Sequence, residues 1–187
     1  MSKINKNTVA LFITHAQGFN GLSKNLINKL KKMATITLKG NTFHTLGNLP
    51  KIGSKAVSFS LRKTDLSNLT LEELKGSKIV LNIFPSIDTG TCANSVRTFN
   101  KTATDLENTK VICISKDLPF AHNRFCVAEG IENVHTASDI SGTFSENYKL
   151  TITDGPLEGL SSRAVIVLDE NGIVRYSEQV SEISEEP

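Results

Sequence analysis

Apolar positions along this chain follow two rhythms, and the switches between them outline a fold. From residue 34, "TITLKGNTFHTLG" alternates apolar and polar side chains on both sides of Lys39-Gly40-Asn41, which predicts a β-hairpin. "AVSFSLRK" alternates in the same way and predicts a strand, and "LSNLTLEELKG" reads as a loop leading into a short helix that Gly76 stops. "KIVLNIF" is a near-continuous apolar run, as expected of a strand covered on both faces of its sheet, and Pro85 ends it. After Cys92 the step changes to three and four. Val96, Phe99, Ala103 and Leu106 then predict a helix of about fourteen residues.

The same alternation of rhythms repeats. "KVICIS" predicts a second buried strand, and "DLPFAHNRFCVAEG" a helix with Pro119 in its first turn and Gly130 at its end. "ENVHTAS" fits a short strand, and "RAVIVLDENGIVRYSEQV" a hairpin across Glu170-Asn171-Gly172. Strand, helix, strand and helix followed by a hairpin predict an α/β fold with a mixed central sheet, parallel at first and antiparallel at the end. With helices flanking the sheet and a hairpin before it, the arrangement is thioredoxin-like.

The first 33 residues differ in character. Phe19, Leu22, Leu26, Leu30 and Met33 recur at helical spacing among Lys24, Lys29, Lys31 and Lys32. The expected organisation is therefore a basic leader over 1–33, disordered or a targeting segment, and one domain over 34–187. Lys and Asn dominate where organellar presequences favour Arg and Ser, so organellar targeting is the less favoured reading of the leader and a cytoplasmic location the expected one. The chain's 187 residues, 39% hydrophobic, are enough for one domain with a sizeable core. Eleven of its 21 Lys and Arg lie within 1–64, where there is no acid; the other ten share 65–187 with all 19 acids. A net charge of +2 distributed this way argues against a nucleic-acid partner. No apolar run approaches the 18 residues that a membrane span requires.

The three cysteines, Cys92, Cys113 and Cys126, are too few and too dispersed for a disulfide-stapled fold. No C-x-x-C pair is present, and His122 four residues before Cys126 has no second ligand pair at zinc spacing. No metal site is expected, and His122 reads as a histidine on a helix surface. Cys113, between apolar neighbours in "VICIS", reads as core; Cys126 suits a core or a redox role equally.

Cys92 differs because of where it falls, in the first turn of a helix that follows a buried strand. Unpaired N–H groups there favour a thiolate over a thiol. Moving a thiol from about 8.5 to about 6 takes about 3.4 kcal/mol, whereas a helix end supplies under about 1 and at best about 2. A further donor is needed. Thr89, three residues earlier, is close enough for its hydroxyl to reach the sulfur. Arg97 is turned away down the helix. If "RAVIVL" runs antiparallel beside "KIVLNIF", Arg163 arrives at the end where Cys92 lies. The expectation is an exposed, activated sulfur.

"LNIFPSIDTGTCANSVRTFN", "VICISKDLPFAHNRFCVAEGIENV" and "GLSSRAVIVLDENG" closely resemble the atypical two-cysteine thiol peroxidases of the peroxiredoxin family, and the resemblance covers 34–187. Pro85, Thr89 and Cys92 match the family's Pro-x-x-x-Thr-x-x-Cys signature. The resemblance implies that Cys92 is the peroxidatic cysteine, Cys126 the resolving cysteine and Arg163 the arginine that holds thiolate and peroxide. It implies hydrogen peroxide and organic hydroperoxides as substrates, and a Cys92–Cys126 disulfide recycled by thioredoxin. It also implies a homodimer, no bound cofactor, and a final helix beyond "SEISEEP" in relatives. A peroxide sensor or thiol-oxidation relay with little turnover of its own carries the same motifs.

Overall fold

The computed structural model describes residues 33–187, so the expectation for the basic leader falls, Met33 apart, outside the described residues. An antiparallel hairpin opens the described chain, with β1 (Thr35–Leu38) paired to β2 (Asn41–His44). Its turn is tighter than the sequence pattern predicts: Lys39 and Gly40 alone form it, both at positive φ (49° and 76°). Two consecutive left-handed residues match the twist of the flanking strands, and Asn41 already belongs to β2.

Seven further strands form one sheet. In chain order they are β3 (Ser60–Lys63), β4 (Asn68–Thr70), β5 (Lys78–Ile83), β6 (Thr109–Ser115), β7 (His135–Ser138), β8 (Ala164–Leu168) and β9 (Val174–Gln179). In space the order is β4-β3-β7-β6-β5-β8-β9. β5, β6 and β7 run parallel, and β8 and β9 continue antiparallel beyond β5. This is the predicted parallel-then-antiparallel sheet. Two local expectations differ. Only Ser60–Lys63 of "AVSFSLRK" is strand, because Lys55 and Ala56 are engaged instead by Ile173 and Gly172 of the β8–β9 turn. The segment read as a loop holds β4, which pairs with β3 through Leu61 and Leu69, and the helix before Gly76 is a single 3₁₀ turn, Glu72–Leu74.

Helices α1 (Gly90–Thr102), α2 (Pro119–Glu129) and α3 (Thr143–Asn147) follow β5, β6 and β7. α1 is close to the predicted length, and its last predicted turn is a 3₁₀ extension, Ala103–Asp105. Leu118 is extended before Pro119, as the ring of a following proline demands, and Gly130 closes α2 at φ 64°.

The two faces of the sheet carry separate cores. Ile79, Leu81 and Ile83 of β5 and Ile112 and Ile114 of β6 point to one face, where they meet Phe144 and Tyr148 of the α3 region. Phe84, Val111 and Cys113 point to the other face and meet Cys92 and Val96 of α1 and, from α2, Phe125 and Cys126. The period of two in β6 therefore turns Cys113 to the side where α1 and α2 bring Cys92 and Cys126. Within that second core Asn82 is fully buried in β5; Ser95 of α1 donates to its carbonyl at 3.2 Å, and its amide faces the Cys113 sulfur at 3.6 Å.

Leu81 is fully buried in the central strand. Leu81→Ala is expected to cost about 2–5 kcal/mol through lost burial and an unfilled cavity. Denaturant unfolding measures it, and a loss below about 1 kcal/mol would contradict this packing.

Candidate active site

The site forms where β5 stops. Pro85 has no N–H to offer a neighbouring strand, and the chain turns through Ser86–Asp88 into α1. Thr89 is the N-cap residue of α1, with extended φ and ψ, but its side chain makes no capping bond. The hydroxyl of Thr89 donates instead to the Ser86 carbonyl at 3.1 Å, closing the turn. The expected contact from Thr89 to the sulfur is thus not made in this state; the carbonyl three residues back is the nearer acceptor. The first turn of α1 carries no acidic side chain, so nothing within it offsets the positive helix end.

Cys92 is buried at 1% exposure, which corrects the expectation of an exposed sulfur. Its side chain turns inward onto Phe84, Ile87 and Val96, and a guanidinium lies against it. That guanidinium belongs to Arg163. β8 runs antiparallel to β5 with Ala164 opposite Ile83, so the residue before β8 arrives beside the end of β5. Arg163 Nη2 donates to Cys92 Sγ at 3.2 Å, and Nε donates to the Ile183 carbonyl at 3.1 Å. Arg163 is itself only 1% exposed, and its Nη1 is buried with no hydrogen-bond partner among the described residues. No ion pair among the described residues involves Arg163.

Cys126 lies on α2 in the same apolar core as Cys92, half-buried, with its sulfur 3.3 Å from the Thr136 hydroxyl. Burial raises its pKa, and the Thr136 hydrogen bond only partly opposes that. Cys113 is fully buried, and burial pushes its thiol up to about 12, which leaves it inert at neutral pH. All three cysteines are free thiols. Arg97 reaches away from the sulfur and forks onto Glu129 of α2 with two 2.9 Å hydrogen bonds.

A second polar group, which the residue pattern did not single out, ties the two cysteine-bearing helices together. The carboxylate of Asp117, just ahead of α2, accepts from the Ile87 N–H at 2.6 Å, the Ser86 hydroxyl at 2.8 Å and the Ser115 hydroxyl at 2.6 Å. Ser115 also meets His122 Nε2 at 3.0 Å. His122 is fully buried, which corrects its reading as a surface residue: it lies on the inner face of α2, where Ser115 supplies its polar contact. The only sequence signal for Asp117 was an acidic residue just before a helix that opens on proline. No trio of His, Cys, Asp or Glu side chains is gathered at metal-binding geometry among the described residues.

The Redoxin family model matches residues 51–187. The thiol peroxidase of Corynebacterium glutamicum is 52% identical over 155 residues, covering 83% of this chain and 94% of that protein. That of Mycobacterium tuberculosis is 50% identical and covers 83% and 93%. The chain belongs to the peroxiredoxin family. Among solved structures, a peroxiredoxin-like protein from Aquifex aeolicus superimposes with a TM-score of 0.78 at 37% identity, covering 83% of this chain and 92% of that one. A thiol peroxidase from Chromobacterium violaceum shares the fold at a TM-score of 0.76 and 23% identity, covering 81% and 89%. This peroxiredoxin thus carries a thioredoxin-like fold and belongs, by its relatives, to the thiol peroxidases.

The buried His122 makes stability depend on pH. Burial holds its folded-state pKa below the ordinary 6.5, against the opposing pull of Asp117 and Asp88. Between the folded value and 6.5 the unfolded chain binds a proton that the folded chain does not, so stability falls as pH falls through that window. Burial holds His135 down as well, with the same sign. Unfolding titrations between about pH 5 and 7.5 should show this loss, and His122→Gln should reduce it. An identical slope in that variant would remove His122 as the source.

Proposed function

We propose that this peroxiredoxin reduces hydrogen peroxide and organic hydroperoxides at Cys92, resolves the product through Cys126, and is recycled by thioredoxin or a reductant of that type. One observation carries the reading: a buried arginine donates to the Cys92 sulfur and, among the described residues, forms no ion pair with a carboxylate. A buried guanidinium without a counter-charge is costly. Two unit charges 3.2 Å apart attract by about 5 kcal/mol at an effective dielectric near 20, whereas a helix end supplies at best about 2 kcal/mol. Arg163 is the larger influence.

In this mechanism the Cys92 thiolate attacks one peroxide oxygen in line with the O–O bond. A sulfur–oxygen bond forms, the O–O bond breaks, and the departing oxygen takes up a proton as water or alcohol. The buried Nη1 of Arg163 is the donor left over to steady the charge growing on that oxygen, together with N–H groups of the first turn of α1. Pro85 and Thr89 serve by shaping the turn that delivers Cys92; the Thr89 hydroxyl is released for substrate when the Ser86 carbonyl gives it up.

Cys92 is now a sulfenic acid. The Cys126 thiol condenses with it, expelling water and forming the disulfide. Each sulfur is embedded in its own helix and held by a separate partner, Arg163 for one and Thr136 for the other. A disulfide needs Cα atoms within about 7 Å, and in this mechanism local unwinding frees each sulfur from its partner to meet the other. A thioredoxin-type dithiol then reduces the bond by exchange. A homodimer and a cytoplasmic location belong to the same proposal; none of the described helices is long and apolar enough to cross a membrane.

Mass mapping after one equivalent of peroxide tests the pairing, and is expected to find Cys92 joined to Cys126 with Cys113 free. Cys92→Ser should abolish peroxide reduction. Cys126→Ser should still oxidise once at Cys92 but fail to cycle with thioredoxin and its reductase; full cycling would move resolution elsewhere. Fast Cys92 oxidation with negligible turnover in the unmodified protein would favour the relay reading. Arg163→Lys keeps the charge but not the planar fork, and is expected to slow Cys92 oxidation by at least about tenfold. An unchanged rate would take Arg163 out of the site.

A further inference from the structure

Arg163 is held by a carbonyl from a distant segment, and that segment is held by one carboxylate. Residues 181–184 lie along β1: Thr37 N–H donates to the Ser181 carbonyl at 2.6 Å, and Ile183 N–H donates to the Thr37 carbonyl at 2.8 Å. Between them stands Glu182. One oxygen of its carboxylate accepts from Ser184 Oγ (2.6 Å), Ser184 N–H (3.3 Å) and Lys39 N–H (2.9 Å). The other accepts from Thr37 Oγ1 (2.9 Å) and Gly40 N–H (3.2 Å). The positive φ of Lys39 and Gly40 is what turns their two N–H groups to the same anion. These donors, the Ser184 hydroxyl first, hold the carboxyl of Glu182 at about 2, so it is ionised throughout the range in which a thiol peroxidase would work.

The neighbours of Glu182 touch the site directly. The Ile183 carbonyl accepts from Arg163 Nε, while its side chain is buried with Ile36 and Ile152. The Ser184 carbonyl accepts from Thr91 Oγ1 at 3.2 Å, one residue before Cys92. Because every donor to Glu182 is an uncharged N–H or O–H group, the carboxylate anchors the segment without drawing the guanidinium away from the sulfur.

We propose that Glu182 is a positioning residue of the peroxidase site: by locking residues 181–184 onto the β1–β2 turn, it fixes the Ile183 carbonyl and, through it, the Arg163 guanidinium at Cys92. The proposal rests on the reading of Cys92 as the reacting sulfur. It also gives the N-terminal hairpin, which is not part of the main sheet, a task in the chemistry.

A double-mutant cycle on single-turnover oxidation of Cys92 by hydrogen peroxide, in the full chain, tests it. Glu182→Gln keeps the shape and removes the charge, and is expected to slow oxidation about tenfold or more, because small displacements of a positioned group are costly. In an Arg163→Lys background the same change should slow it by less than about twofold, since its route to the sulfur is already broken. A residue that only stabilises the fold would instead slow both backgrounds by one factor, and that result overturns the proposal, as does an unchanged rate in Glu182→Gln alone. If Glu182→Gln does not fold, Thr37→Val removes one donor and leaves the carboxylate; it is expected to slow oxidation measurably in the unmodified background and not in Arg163→Lys, and a rate unchanged in both overturns the proposal. Failure of the underlying reading looks different, since Cys92 of the unmodified protein would then not be oxidised at all.

Discussion

A buried guanidinium against a buried sulfur is the constraint around which this molecule is arranged. Arg163 is nearly inaccessible to water, and no carboxylate pairs with it among the described residues. Stability alone does not account for such a residue, because an apolar side chain in the same place would avoid the desolvation cost. The group it faces instead is the Cys92 sulfur, 3.2 Å from Nη2. Fold and chemistry meet at this contact: the antiparallel return of β8 beside β5 brings the cation, and the strand-to-helix turn after Pro85 brings the sulfur.

The sheet explains why the three cysteines differ although they share one core. Cys113 sits in the middle of β6, packed beneath α1 and α2, and burial keeps it protonated. Cys126 sits on a helix flank, half-covered and hydrogen-bonded, with its thiol also held up by burial. Cys92 alone meets a cation. Depth and partner, rather than residue type, set the three sulfurs apart, and the roles proposed for them follow that order.

Much of this was legible in the residues. The apolar runs of β5 and β6, the three-and-four step of α1, the proline and glycine that bracket α2 and the final hairpin are local signals, and each gives its element near the right place. Arg163 was legible too, because topology rules fix which end of an antiparallel partner meets the end of β5. Side-chain direction was less accessible. Cys92 turns inward rather than outward, His122 faces the core, and Thr89 spends its hydroxyl on Ser86; each depends on a neighbour supplied by another segment or on a choice between nearby acceptors. β4 escaped because a three-residue strand carries almost no periodicity of its own. Glu182 lies more than 140 positions from Thr37, its hairpin partner, and no local pattern connects them.

The restraints on the two cysteine segments are also those that the proposed disulfide would have to release. Asp117 gathers the Ser86–Ile87 turn and Ser115, and Arg97 bridges α1 to Glu129 of α2. The first lies mostly out of solvent, so breaking it leaves charge-assisted hydrogen bonds to be replaced by water. The second is exposed, and pairs of that kind contribute under about 1 kcal/mol. Unwinding therefore meets more resistance at the Asp117 end of α2 than at its C-terminal end. Cys126 lies in the last turn of α2, four residues before the left-handed Gly130, which places its sulfur on the portion of the helix that is easier to release. In the proposed cycle, the segment that carries Cys126 therefore opens from its C-terminal end.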